Sequence, residues 1–193
     1  AVDELGNLID GDQIMAACGL DLLQKGKLSG ETVVATVMSN LGLHRFVKEH
    51  GMRLECTNVG DRNVLERMLE KGYAIGGEQS GHMIFLEHAT TGDGELTALQ
   101  MLALLKESGK KASELFGACP RYPQVLINIP VANNDVKKAV MASAELAQAV
   151  AGEEEKLGDE GRVLVRPSGT EALMRVMVEA KTQQTAQEAA QRL

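Results

Sequence analysis

The stretch ETVVATVM, residues 31–38, limits the fold more than any other segment of the chain. It is a run of β-branched and small apolar residues with no polar alternation, which suits a strand buried on both faces. Such a strand needs helices above and below its sheet, and its neighbours offer them. Upstream, Ile14, Met15, Cys18 and Leu22 recur at helical spacing, with Asp12 expected as the cap. Downstream, LHRFVKEHG reads as a short helix ended by Gly51, and MRLECTNV as the next strand. Asp61 then opens a helix carrying Val64, Leu65, Met68 and Leu69 on one face, closed by Gly72. YAIGG and HMIFL read as strands on either side of EQSG, and the longest helix is expected over residues 92–108. Being apolar nearly all round, that helix is expected to be buried. The opening AVDELGNLIDGDQI reads as strand, tight turn, strand. Strands alternating with helices predict an α/β layer with parallel pairing.

The texture changes at FGACPRYPQ, where two prolines in four residues suit an inter-domain connection. The chain therefore divides into residues 1–118 and 119–193. In the second part, QVLINIPV sets Val125, Ile127, Ile129 and Val131 on one face. NNDVKKAVMASAELAQAVAG reads as one amphipathic helix capped by Asn134 or Asp135. RVLV and ALMRVMVEA are two strands, the latter with Ala172, Met174, Val176 and Val178 on one side, and TQQTAQEAAQRL is a closing helix. The acidic run GEEEKLGDEG reads as a solvated loop. The expected class is a mixed α/β layered domain followed by a smaller α+β module of order β-α-β-β-α.

Composition removes several kinds of partner. The net charge is −7, aromatic residues make up 3% and Trp is absent. Nucleic-acid binding lacks both its basic footprint and its stacking platforms. No apolar run approaches a membrane span. Cys18, Cys56 and Cys119 are isolated and in no metal-ligand spacing, as buried thiols of a reducing cytosol would be. The first residues include neither an initiator Met nor a leader, so the start is expected to lie inside a longer protein.

Two loops concentrate chemistry. In LVRPSGTEALMRV, residues 164–176, two apolar runs flank a polar hexapeptide. Pro167 fixes one φ angle and Gly169 permits a positive one, so successive backbone N–H groups can converge. Ser168 and Thr170 add hydroxyl donors, and Arg166 adds a planar cation suited to phosphate. Glu171 cannot face the same anion, and orienting Arg175 or a substrate hydroxyl suits it better. A plain hairpin turn remains the other reading, although the donor density exceeds what a turn needs. In GGEQSGH, residues 76–82, three glycines around Glu78 and Ser80 let a ligand approach the backbone closely. Glu78 accepts and Ser80 donates, a pairing suited to vicinal sugar hydroxyls, and His82 can carry a proton. A structural Gly-rich hairpin is the alternative there. Asp61 and Arg62 start a helix, where backbone donors attract an anion, but a simple N-cap role for Asp61 is the plainer reading. Asp93 and Glu95 in TTGDGE read as first-turn helix charges. No G-x-S-x-G, Walker loop, zinc spacing or D-x-D-x-D triplet occurs, so no metal ligands are assigned.

GEQSGH followed by RPSGTE, in that order, resembles the α-D-phosphohexomutase superfamily. The wording GGEQSGHMIFLEHATTGDGELTALQ with RPSGTEALMRVMVEA is most similar to its bacterial branch acting on glucosamine phosphates. The resemblance runs over essentially the whole chain. It implies four domains: a phosphoserine in the first, an Asp-rich Mg²⁺ loop in the second, a sugar loop in the third and a phosphate loop on the closing fourth. This chain resembles the third and fourth, so residues 1–118 would be the sugar-binding domain and 119–193 the phosphate-binding lid. By position, Glu78 and Ser80 would contact sugar hydroxyls, with His82 handling a proton. Arg166, Ser168, Gly169 and Thr170 would grip the phosphate that is not being transferred. Asp61 and Arg62 would line the active site. The family's Pro after the loop Glu is replaced by Ala172, which removes no ligand group.

The implied reaction interconverts glucosamine 6-phosphate and glucosamine 1-phosphate through a phosphoserine and a bisphosphate, in the cytoplasm, toward amino-sugar nucleotides and cell-wall precursors. Mg²⁺ would be held by residues outside this chain, and none is expected on it. Partners would be the phosphosugar and the missing N-terminal domains, without nucleic acid or membrane. The segment alone is expected to be inactive, to bind weakly and to be able to self-associate. A phosphoglucomutase or phosphomannomutase, a non-catalytic phosphosugar-binding module and a purely structural α/β protein stay open as alternatives.

Overall fold

A computed structural model describes residues 1–193, which form two compact units, Ala1–Arg121 and Tyr122–Leu193. No helix is long and apolar enough to cross a membrane.

In the first unit the opening segment makes a single antiparallel bridge between Val2 and Leu8, less than the expected pair of strands. Helix α1 (Gly11–Gln24) is capped by Asp10, not Asp12. The Asp10 carboxylate accepts the Gln13 N–H at 3.1 Å, and the Gln13 side-chain oxygen accepts the Asp10 N–H at 3.2 Å. This reciprocal box satisfies two of the donors that a helix start leaves over. Asp12 is buried inside the first turn, where its carboxylate accepts the Asn40 N–H at 2.7 Å and ties α1 to the start of the next helix.

Strand β1 (Thr32–Thr36) is buried at all five positions, as its composition predicts. Helix α2 (Leu41–Glu49), strand β2 (Arg53–Thr57) and helix α3 (Asp61–Lys71) follow. Strand β3 (Ile75–Gly77) and strand β4 (Met83–Phe85) flank the EQSG turn, and helices α4 (Gly94–Ser108) and α5 (Ala112–Phe116) complete the unit. The sheet order is β2-β1-β3-β4. β1 runs parallel to β2 and β3, while β4 returns antiparallel. Strand alternation sends Val33, Ala35 and Ile75 into one core with Met15, Leu43 and Phe116. Val34 and Ile84 face the other way, against Val64 and Met68 of α3. Helices thus cover both faces of β1.

Two helix faces differ from expectation. On α3, Leu69 is exposed, because the stripe that meets the sheet is the narrower Val64–Met68 row. On α4 only Thr97, Met101 and Leu104 are buried, while Leu99 is 65% and Leu102 61% exposed. The core takes one side of that helix and leaves its second apolar side uncovered.

The second unit contains strand β5 (Gln124–Pro130), helices α6 (Asn134–Met141) and α7 (Ala144–Leu157), strands β6 (Gly161–Pro167) and β7 (Leu173–Ala180), and helix α8 (Gln183–Arg192). The sheet is antiparallel in the order β5-β7-β6. Val125, Val163, Val176, Val178, Ala186 and Ala189 form its core. Central β7 is closed on both sides: Met177 and Glu179 are as buried as Met174, Val176 and Val178. On β5, Val125 and Ile127 meet the core but Ile129 is exposed.

The single helix expected over residues 133–152 is two. Asn133 caps α6, accepting the N–H groups of Asp135 and Val136, so neither Asn134 nor Asp135 is the cap. Ser143 caps α7 by accepting the Leu146 N–H at 3.3 Å. A serine able to serve a new helix start competes with continuation of the old one. The acidic run is also not a loop at its beginning. Glu153 lies on α7, is buried, and accepts from Arg192 at 2.9 and 2.8 Å and from Lys156 at 2.7 Å.

Candidate functional site

The three parallel strands of the first unit end on one side of their sheet, and the segments leaving them gather there. Open α/β sheets bind ligands at such carboxyl ends. A cleft of about 760 Å³ lies at this edge, lined by Thr36 at the end of β1 and Met38 after it, Val59 after β2, and Glu78, Ser80 and Gly81 after β3. Gly11 of α1 and Thr97 of α4 stand on its other walls.

The EQSG turn is fixed from several directions. The Glu78 N–H donates to the His82 carbonyl at 3.0 Å, and the Gly81 N–H to the Glu78 carbonyl at 2.9 Å. Gly81 takes φ +100°, a conformation that other residues rarely accept. From outside the hairpin, the Gly11 N–H donates to the Gln79 carbonyl at 2.9 Å. A Cβ on Gly11 would overlap the Glu78 carbonyl oxygen, so α1 can dock only through a glycine. The Glu78 carboxylate accepts the Gly60 N–H at 3.1 Å, joining the turn to the start of α3. Ser80 is exposed at the tip.

His82 and Asp61 come together: the imidazole Nε2 lies 3.5 Å from the Asp61 carboxylate. The ring packs on Gly92, where a Cβ would overlap it. Neither His82 nor Asp61 is among the cleft-lining residues. Asp61 is the first residue of α3, and Gly60, not Asp61, occupies the cap position. Arg62 is 85% exposed and pairs with Glu66 at 2.8 Å along the helix, away from the cleft walls. Asp93 caps α4 through the N–H groups of Glu95 and Leu96.

In the second unit the 166–171 hexapeptide joins β6 to β7. Arg166 stands directly opposite Arg175 across the ladder. Arg175 pairs with Glu171 at 2.7 Å, the orienting role expected of that glutamate. Arg166 has no carboxylate partner, and its partial burial, followed by the Arg175 charge, pushes its guanidinium below the ordinary arginine value. Ser168 is buried, and its hydroxyl oxygen accepts the Glu171 N–H at 3.2 Å. Gly169 and Thr170 are exposed, and their amides donate to no other group of the chain. A guanidinium without an acid partner, three and four residues before two unused amides, carries the chemistry of an oxyanion receptor.

Lys137 is a residue that the sequence reading missed. It is buried, and its ammonium donates to the Ser168 carbonyl at 2.8 Å and the Glu171 carbonyl at 2.6 Å. In the sequence it is one of two adjacent lysines on an amphipathic helix, with nothing to separate it from solvent-facing Lys138. Gly11 was likewise invisible as a packing partner of the turn, because its contact with Glu78 joins distant parts of the chain.

No group of three or more His, Cys, Asp or Glu side chains that could hold a metal ion occurs in the chain. The side chains present thus form no site that fits an Mg²⁺ ion.

Residues 10–122 match the family model of the phosphoglucomutase/phosphomannomutase alpha/beta/alpha domain III, and residues 126–193 match the C-terminal domain of the same family. The phosphoglucosamine mutase of Ruminiclostridium cellulolyticum is 59% identical over 182 residues, covering 94% of this chain and 40% of that protein. The phosphoglucosamine mutase of Saccharopolyspora erythraea is 52% identical over 193 residues, covering all of this chain and 43% of that protein. The chain thus spans about two-fifths of the length of these relatives. Aspergillus fumigatus N-acetylphosphoglucosamine mutase, solved in complex with GlcNAc-6P and magnesium, shares the fold at a TM-score of 0.80 and 22% identity, over 99% of this chain and 48% of that one.

Proposed function

The chain belongs to the phosphoglucomutase/phosphomannomutase family, as its third and fourth domains, and from that premise we propose that it is the substrate-holding part of a phosphosugar mutase that interconverts glucosamine 6-phosphate and glucosamine 1-phosphate. The amino-sugar preference rests on the phosphoglucosamine mutases that it resembles at more than half their matched positions. The single observation that carries the binding role is Arg166, a guanidinium without a carboxylate, three and four residues before the unused amides of Gly169 and Thr170.

In this reading the second unit grips one phosphate of the sugar while the other reacts. Arg166 supplies charge, Gly169 and Thr170 supply N–H donors, and Ser168 supplies a hydroxyl held by its bond from Glu171. The donors are generic to phosphate, so the same loop can accept either end of the sugar after it turns over, as a bisphosphate intermediate requires. In the first unit, Glu78 accepts from a sugar hydroxyl with the oxygen not taken by Gly60, and Ser80 donates to a neighbouring one. His82, whose Nε2 lies 3.5 Å from the Asp61 carboxylate, handles a proton in this reading. Holding the substrate in register is a large part of phosphoryl-transfer catalysis.

Calorimetric titration of glucosamine 6-phosphate and its 1,6-bisphosphate into the 193-residue chain and its Arg166→Ala variant tests this. The wild type is expected to bind weakly, and Arg166→Ala at least about tenfold more weakly, since a charge-assisted hydrogen bond contributes about 1.5–3 kcal/mol. Equal heats from both proteins would sink the assignment. Glucose 6-phosphate in parallel reads the amino-sugar preference directly.

A further inference from the structure

We propose that Lys137 is the positioning residue of the 166–171 loop: without touching the phosphate, it turns the loop's amides outward and sets a positive charge behind them. This rests on the phosphate-loop reading above. Lys137 is 93% removed from solvent, its residual exposure being 7%, and it sits in no ion pair. Its two bonds go to the carbonyls of Ser168 and Glu171, which stand on either side of Gly169 and Thr170. No peptide in the chain is cis. In a trans peptide the carbonyl and the following N–H point in opposite directions. Drawing the Ser168 carbonyl inward therefore aims the Gly169 N–H outward, where no group of the chain accepts it.

Charge gives a second, independent reason. A buried ammonium is costly to hold when only carbonyl dipoles face it, and a carboxylate is the usual remedy. Here none is supplied. The Glu171 side chain, the nearest acid in sequence to the bonded carbonyls, turns to Arg175 instead. An anion on the far side of one peptide layer would offset the Lys137 charge at short range through a poorly screened medium. Lys137, Arg166 and Arg175 then form three cations around one loop, of which only Arg175 has an acid partner.

The test uses the full 193-residue chain, inorganic phosphate as probe, and the variants Arg166→Ala and Lys137→Met. Phosphate affinity is read by calorimetry at fixed ionic strength, and hydrogen exchange is followed at the Ser168 and Glu171 amides, which donate within the chain. Lys137→Met is expected to bind about tenfold more weakly, a change of about 1.4 kcal/mol, and to exchange faster at those amides. Should Lys137→Met not fold, Lys137→Gln keeps an NH₂ donor group, drops the charge and carries the same expectation. A Lys137 variant that melts lower yet binds phosphate like the wild type would overturn the proposal, since that is what a merely structural lysine does. If Arg166→Ala loses binding while Lys137→Met keeps it, the loop reading stands and the Lys137 role falls. If Arg166→Ala also binds like the wild type, or the wild type takes no phosphate, the loop reading itself fails and the proposal with it.

Discussion

Glu153 shows how much one buried carboxylate can set. Arg192 grips it with two nitrogens and Lys156 with a third, and these bonds, Arg192 first, hold its carboxyl down to about 2 from an ordinary value of about 4.5. The folded value is the depressed one, so the stabilisation is complete above about 4.5 and is lost as pH falls toward about 2. Denaturant melts of wild type and Glu153→Gln across that window should therefore converge as the solution is acidified. Parallel curves would show that the carboxylate contributes nothing. At neutral pH, Arg192→Ala should cost about 1–3 kcal/mol by leaving a buried acceptor short of donors. Residues of this sort are hard to read from sequence. GEEEK looks solvated because its partner Arg192 is distant in the chain, and Lys137 looks like Lys138 for the same reason. By contrast the pairing of Glu171 with Arg175 could be read, because the two stand four residues apart.

Among the elements, strands were easier to read than helix faces. β1 announces itself because a strand buried on both sides must be apolar throughout, and β6 and β7 because they flank a polar loop between two apolar runs. Helix α4 misleads for a physical reason: an all-apolar surface predicts burial, but only one stripe can meet the sheet within this chain. That stripe sorts substitutions sharply. Met101→Ala should destabilise by about 2–5 kcal/mol, as large-to-small changes in cores do. Leu99→Gln and Leu102→Gln should stay within about 0.5 kcal/mol of wild type in thermal melts. Losses at Leu99 or Leu102 as large as at Met101 would mean that the second face is covered in the isolated chain. The break between α6 and α7 has a local cause that is visible afterwards in Ser143, though serine alone does not tell a helix start from a tolerated interior position.

For the whole molecule, each unit owns its core: Met15, Val33, Leu43, Ile75 and Phe116 serve the first, and Val125, Val163, Val178 and Ala189 the second. We propose that the two fold independently. Residues 122–193 made alone should give a dispersed NMR spectrum with cross-strand contacts from Val178 to both Val125 and Val163. A collapsed spectrum would show that this small core needs the rest of the chain. The candidate cleft of the first unit has a property that its geometry alone does not advertise. Its walls come from returns after three different strands, and the ladder hydrogen bonds lie behind them. At several points the cleft wall is also the packing of the unit: Gly11, Thr36 and Met101 line it and are buried, so a substitution that reshapes the cleft there also strains the fold.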